Sequence, residues 1–206
     1  MKRSIAIILL LKFSLAFGQQ KNDTYKSEPK TIFEVTVNGK KYHISETEQL
    51  NLDTLVKPVI SIKQSSYKKF ENSSYSFSYP RNLSFEYSGQ PAIQSWTLNG
   101  NSVVIMVFEM PMEIPLQTLT NGMITKFGAS NCKTQDFTHK LGDKECKGQT
   151  LKVKLVGQNL TLECYTIRSD KNGSSFLIIQ DTIENANHSE EYSNISESIN
   201  SSITYK

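Results

Sequence analysis

The hydrophobic pattern of the chain centres on residues 103–108, six apolar positions in a row, four of them β-branched, opened by Asn99-Gly100 and closed by Pro111. A run so short, unbroken and β-branched predicts a central strand buried on both faces, not a helix. Upstream, Tyr75, Phe77 and Tyr79 alternate with serines as far as Pro80, which predicts a strand with one aromatic and one polar face. Residues 67–70 pair with it as a hairpin across Glu71-Asn72-Ser73-Ser74, and residues 83–87 add an extended piece. Trp96-Thr97-Leu98 then turns back through Asn99-Gly100 onto the central run. Downstream, Leu116, Leu119, Met123, Ile124 and Phe127 recur at helical spacing behind Pro115, so a helix packed on a sheet is expected there.

Three strands follow in meander order over residues 131–140, 144–156 and 160–169, joined at Gly142-Asp143 and Gly157-Gln158, with a fourth over 175–182 after Asn172-Gly173. Leu151, Val153 and Leu155 alternate, as do Leu160, Leu162 and Cys164, which marks one buried face and one wet or helix-covered face. Within residues 187–200, Tyr192, Ile195 and Ile199 fall at helical spacing with Glu190, Glu191 and Glu197 outside. That last helix is rich in Ser and Asn and depends on packing to exist.

Before these elements, residues 31–37 and 40–45 flank Asn38-Gly39, a strong two-residue hairpin signal, with Phe33, Val35 and Val37 on one face. Ser45-Glu46-Thr47-Glu48 matches a capping box, and Leu50, Leu52, Leu55 and Val56 line one side of a short helix that Pro58 ends. Residues 59–63 read as a strand, so 31–63 form a small hairpin-and-helix appendage to a main domain over 64–206. Residues 19–30 are polar and aperiodic and read as a flexible leader. Residues 1–18 stand apart: Lys2 and Arg3 precede the apolar stretch 5–11, and Ala16-Phe17-Gly18 has the small-x-small cleavage pattern. They read as a secretory signal peptide cut after Gly18, which leaves no transmembrane segment and places the mature chain in the periplasm or outside the cell.

The signal peptide changes the charge picture. It carries three of the 23 basic residues, so the remaining 20 balance the 20 acidic ones and the mature chain is formally neutral. The densest basic cluster, Lys63 with Lys68 and Lys69, is too small to replace the counterions of a polyanion, and nucleic acid is not an expected partner. Asn-x-Ser/Thr triplets at Asn22, Asn72, Asn82, Asn159, Asn172, Asn187, Asn194 and Asn200 follow from a composition rich in Asn and Ser.

Candidate chemistry is sparse. Cys132, His139 and Cys146 have a metal flavour, but on a straight strand the first lies roughly 23 Å from the other two, so neither a metal nor a cofactor is expected. In an oxidising compartment three cysteines allow three pairings. Cys164 alternates with Leu160 and Leu162 and reads as a buried thiol, which leaves Cys132 with Cys146 as the disulfide to expect, provided the chain bends near Cys132. The histidines are only His43, His139 and His188, and no Gly-x-Ser-x-Gly elbow accompanies them. Glu109 and Glu113 could serve as the paired carboxylates of a hydrolase, although a strand end and a helix start explain them without catalysis. Met106 reads as core, whereas Met110 and Met112, beside Pro111 and Pro115, form an adaptable apolar segment suited to partner binding.

The order of elements over residues 67–206 resembles the PsbP-like superfamily. The resemblance rests on Tyr75-Ser76-Phe77-Ser78-Tyr79-Pro80, the hairpin into residues 103–109, Pro115 with its helix, the meander through Gly142, Gly148 and Gly173, and a closing helix with Ile199 and Ser202. It implies an α+β fold, an α/β/α sandwich on an antiparallel sheet, here with the N-terminal β-hairpin appendage outside the resemblance. It also implies no shared catalytic residues, since members of the superfamily mostly act as binding or assembly factors. The expectation is a secreted, non-catalytic binding or assembly factor for a protein partner in the envelope or extracellular space. A small-molecule or lipid carrier, which needs a deep apolar cavity between the first helix and the sheet, and a carboxylate-dependent hydrolase are the alternatives.

Overall fold

The structure is a computed structural model that describes residues 25–54, 57–183 and 187–206; the expected signal peptide lies outside the described residues. The chain opens with the expected hairpin, β1 (Ile32–Val37) and β2 (Lys40–Ser45). Asn38 and Gly39 both take positive φ, 48° and 82°, as a two-residue turn between right-twisted strands requires. β3 (Ile60–Gln64) then pairs with the far side of β1, giving a three-stranded antiparallel sheet in the order β2-β1-β3.

The short helix expected between β2 and β3 does not form among the described residues 46–54. Half of the capping box is present, since the Ser45 N–H donates to Glu48 Oε2 at 2.7 Å. No helix forms because one this short needs a surface to pack on, and Leu52 is exposed instead. Leu55 and Val56 lie outside the described residues.

The main body is built from β4 (Tyr67–Glu71), β5 (Tyr75–Pro80), β6 (Ser84–Gln90), β7 (Ile93–Asn99) and β8 (Val103–Met110), then α1 (Leu116–Phe127) and a single 3-10 turn. After the turn come β9 (Cys132–Leu141), β10 (Lys144–Leu155), β11 (Gln158–Asp170), β12 (Gly173–Ile183), α2 (Glu190–Ser202) and β13 (Thr204–Tyr205). Seven strands form one antiparallel sheet in the order β6-β7-β8-β12-β11-β10-β9. The apolar run is its β8, with Ile105 and Val107 buried on one face and Met106 and Phe108 on the other.

The α/β/α sandwich is overturned. The described residues form a β-rich fold of three antiparallel sheets with only two α-helices. α1 covers one face of the large sheet, but the opposite face is covered mainly by a second small sheet, β13-β5-β4, with α2 beside it. The cause lies in the aromatic alternation of β5. Tyr75, Phe77 and Tyr79 are fully buried, and the β4–β5 hairpin lies across the large sheet rather than extending it. Phe70 stacks on Phe77 at 5.0 Å and meets Trp96 edge-on at 5.7 Å, so the rings join the two layers.

α2 completes that layer in an unusual way. β13 pairs with β5 only at Tyr75 and Ser76, and beyond it the Ser78 N–H donates to Ser202 Oγ at 2.8 Å while Ser198 Oγ donates to the Ser78 carbonyl at 3.1 Å. Two serines four residues apart thereby satisfy a strand edge from a helix face. The described part of the expected flexible leader is also anchored: Trp96 Nε1 donates to the Tyr25 carbonyl at 2.6 Å, and Glu28 pairs with Lys68.

Candidate functional site

The two methionines proposed for partner binding separate. Met110 is buried with the core beneath α1, and only Met112 is exposed, by 50%. Glu109 sits on the opposite face of β8, where its Oε1 accepts from Ser73 Oγ at 2.7 Å and Ser74 Oγ at 3.0 Å, tying the β4–β5 turn to the large sheet. Glu113 is exposed in the loop before α1.

The expected Cys132–Cys146 disulfide does not meet. Cys146 lies opposite His139 and Cys132 opposite Val153, seven positions apart on one straight hairpin, or about 23 Å at 3.3 Å per residue. A disulfide needs Cα atoms within about 7 Å. β9 begins at Cys132 as regular strand instead of bending there, and all three cysteines are free. Burial, with the Glu163 charge second, pushes the Cys164 thiol up to about 12, which keeps it protonated and unreactive. The His139 ring stacks on Phe137 at 4.4 Å. Among the described residues, no three His, Cys, Asp or Glu side chains are placed to hold a metal.

A buried carboxylate that the sequence did not advertise is Asp181 near the end of β12. His188 Nδ1 donates to its Oδ2 at 2.8 Å, and Ser189 donates twice, from N to Oδ2 at 3.1 Å and from Oγ to Oδ1 at 2.7 Å. Ser189 Oγ also accepts from the Tyr192 N–H at 3.0 Å as the N-cap of α2. The three residue types are those of a hydrolase triad, but the hydroxyl bonds to the carboxylate rather than to the imidazole, so the ring does not activate it. The arrangement fixes the start of α2.

The large sheet is covered unevenly. A 12-residue helix spans about 18 Å, whereas the 12-residue β10 spans about 40 Å. Along the face of β10 that turns toward α1, the side chains change from Lys147 and Gln149 to Leu151 and Val153; the apolar pair lies in the core under α1, and the polar pair lies past its first turn. A cleft of about 440 Å³ opens there. Asp136 stands opposite Gln149 and Thr138 opposite Lys147 across the β9–β10 ladder, with Thr166 on β11 and Gln117 and Leu116 of α1 closing the sides.

Gln149 fixes this cleft. It is only 7% exposed, and its Nε2 donates to Asp136 Oδ1 at 2.8 Å and to Gln117 Oε1 at 3.3 Å. Turning the amide over would set its oxygen against two acceptors, so its orientation is determined by chemistry. The Gln149 Oε1 is left buried without a partner among the described residues, which costs about 1–3 kcal/mol. The polar-to-apolar switch within one alternating strand was the available sequence signal for this site; the alternation of Leu151, Val153 and Leu155 drew attention to its apolar half.

A second cleft of similar size lies between α2 and the β4–β5 layer, lined by Tyr67, Asn194, Glu197 and the serines already bonded to Ser78. The N-terminal sheet offers a different kind of surface. β3 is an edge strand, with Val59 beside it 74% exposed, Ile60 56% and Ile62 66%. The Val59 carbonyl and the Ser65 N–H bond to β1-side partners, so by antiparallel alternation Ile60, Ile62 and Gln64 turn their backbone groups outward.

Among the described residues, no helix is long and apolar enough to cross a membrane. A crystal structure of a protein from Bacteroides thetaiotaomicron VPI-5482 is similar to 69% of this chain, at 13% identity and a TM-score of 0.42. The similarity covers 49% of that protein, so the chain spans about half its length. No protein-family model matches the chain, and no curated protein matches it either.

Proposed function

We propose that the protein is a secreted, non-catalytic binding or assembly factor that takes an extended segment of a protein partner along the open edge of β3. The observation that carries this reading is the run of Val59, Ile60 and Ile62, exposed by half or more on an edge strand whose alternate backbone groups face outward. Edge strands with exposed apolar side chains are templates for strand addition, with the backbone supplying affinity and alternate side chains supplying specificity. The filled interface beneath α1, where Leu119 and Met123 pack on Leu151, Leu162 and Phe176, supports this reading over a carrier, which needs a cavity there.

The test is capture of partners from native envelope and culture-fluid extracts with chemical crosslinking, comparing the wild type with the double variant Ile60→Lys, Ile62→Lys. A protein retained near stoichiometry by the wild type and reduced at least tenfold with the variant is the expected result. Equal recovery by both, or no enriched protein under conditions that preserve a known complex, counts against the reading. Both substitutions fall at exposed positions, so the variant keeps its fold.

A further inference from the structure

We infer that the cleft beside the first turn of α1 is a second, independent binding site, and that its ligand is a neutral saccharide laid across the polar end of β9, β10 and β11. The bland reading is that an uncovered stretch of sheet is polar because it is wet. Lys147, Thr138 and Asp136 alone would fit that reading, since each is exposed. Gln149 does not fit it: solvation gives no reason to bury an amide, tie its nitrogen to two neighbours and leave its oxygen without a donor.

The arrangement has the periodicity of the sheet. Asp136 and Gln149 form one cross-strand pair and Thr138 and Lys147 the next on the same face, so four polar groups stand on a grid of about 5 Å across and about 7 Å along the strands. One row is weighted toward acceptors, the exposed carboxylate and, buried behind it, the unpartnered carbonyl. The other offers an ammonium and a hydroxyl. A ligand hydroxyl both donates and accepts, so adjacent hydroxyls of a sugar ring can donate to Asp136 or Gln149 and accept from Lys147 or Thr138. A hydroxyl that displaces the 3.3 Å contact between Gln149 and Gln117, the longer of the two amide bonds, frees the amide to bring Oε1 to a donor.

Charge and shape narrow the class. Asp136 and Lys147 balance, so the cleft has no net preference for an anion or a cation. Its lining mixes polar side chains with the apolar surface of Leu116 and Phe137, which suits an amphipathic sugar ring and not a fatty chain. The cleft opens on the face of the sheet, so an extended peptide paired with the free edge of β9 would lie beside the grid of polar groups and not across it.

The experiment is a titration of the ¹⁵N-labelled full chain with cellotetraose, maltotetraose and, as the peptide competitor, triglycine, following backbone amide shifts. The expected result is saturable shifts from one of the saccharides confined to Gln117, Asp136 and residues 147–149. Asp136→Asn, which keeps an oxygen for Gln149 but loses the charged acceptor, weakens binding roughly tenfold, and Gln149→Leu abolishes it. Ile62→Lys on the N-terminal sheet leaves saccharide binding unchanged, which separates this site from the protein-binding edge. Saturation by triglycine instead, shifts that map elsewhere, unchanged affinity in Asp136→Asn, or no saturation by either saccharide would each overturn the inference. If Gln149→Leu fails to fold, Asp136→Asn and Thr138→Val, both at exposed positions, decide the matter.

Discussion

Two hairpins with the same period-two alternation end in different places. In β1, Phe33, Val35 and Val37 line one face, and Val35 and Val37 are buried while Ile60 and Ile62 beside them stay largely open. In β5, Tyr75, Phe77 and Tyr79 line one face and all three are fully buried beneath the large sheet. The alternation fixes which side chains share a face, and the presence of a second layer fixes how dry that face becomes. The β4–β5 hairpin has the large sheet beneath it, whereas the N-terminal sheet keeps an edge free.

The largest effect that could break this comparison is truncation of matched core positions. Phe77→Ala is expected to lower stability by about 3–5 kcal/mol, because it removes a ring stacked on Phe70 from a filled layer. Val35→Ala should cost well under half as much, since less apolar surface and a thinner layer are involved. Urea unfolding followed by Trp96 fluorescence measures both. Equal losses would show that the N-terminal sheet is as much a part of the core as β5. Native-state hydrogen exchange supplies the same contrast without mutation, with amides of β1 to β3 opening before those of β8 and β12.

The parts of this fold that were legible in the sequence are those decided locally. Asn38-Gly39, Asn99-Gly100 and Gly142-Asp143 each mark a hairpin that forms, because turn geometry is set by a few backbone angles. The layer an element joins is decided at a distance, and there the reading failed: an α/β/α sandwich was expected, with helix covering the sheet on both faces, and β4 and β5 instead form part of one covering layer. The capping box at Ser45 shows the same limit, a correct local bond with no surface to make a helix worthwhile. The Cys132–Cys146 expectation required a bend that nothing in β9 supplies. Of the proposed saccharide site, only the change from Lys147 and Gln149 to Leu151 and Val153 was visible. The burial of Gln149 depends on where α1 begins, which no local pattern states.

A smaller effect sharpens the comparison through matched acidic residues. Asp181, in the main body, accepts three hydrogen bonds out of reach of solvent, and Asp181→Ala is expected to cost about 2–3 kcal/mol and to loosen α2 at its start. Glu34, on the N-terminal sheet, pairs with Lys41 at 3.1 Å in the open. Its carboxyl is held below the ordinary range chiefly by the Lys41 hydrogen bond, yet water and salt screen such a pair, and Glu34→Ala should leave the unfolding midpoint in place. Urea midpoints at matched ionic strength decide between them. A midpoint for Glu34→Ala displaced as far as that of Asp181→Ala would remove the distinction between buried and exposed anchoring.

The smallest expected effect lies at the rim of the well-covered layer, where the last residue of the chain closes β4 and β5. Lys206 Nζ pairs with Glu71 at 2.8 Å and donates to the Asn72 carbonyl at 2.6 Å. The hydrogen bond from Lys206 is the largest cause of a lowered Glu71 carboxyl pKa; partial burial opposes it, and the charges of Lys206 and Lys69 add to it. A depressed folded pKa contributes stability that is present above the ordinary value of 4.5 and is lost as pH falls through the folded value. The wild type should therefore exceed Glu71→Gln slightly near neutral pH, and the two should converge as the pH falls through the folded value, below which the carboxylate is protonated in both states. Unfolding midpoints of the two proteins across that range make the test. A difference that persists unchanged into acid would mean that Glu71 contributes by packing, and that the chain end is held by its bond to the Asn72 carbonyl rather than by the ion pair.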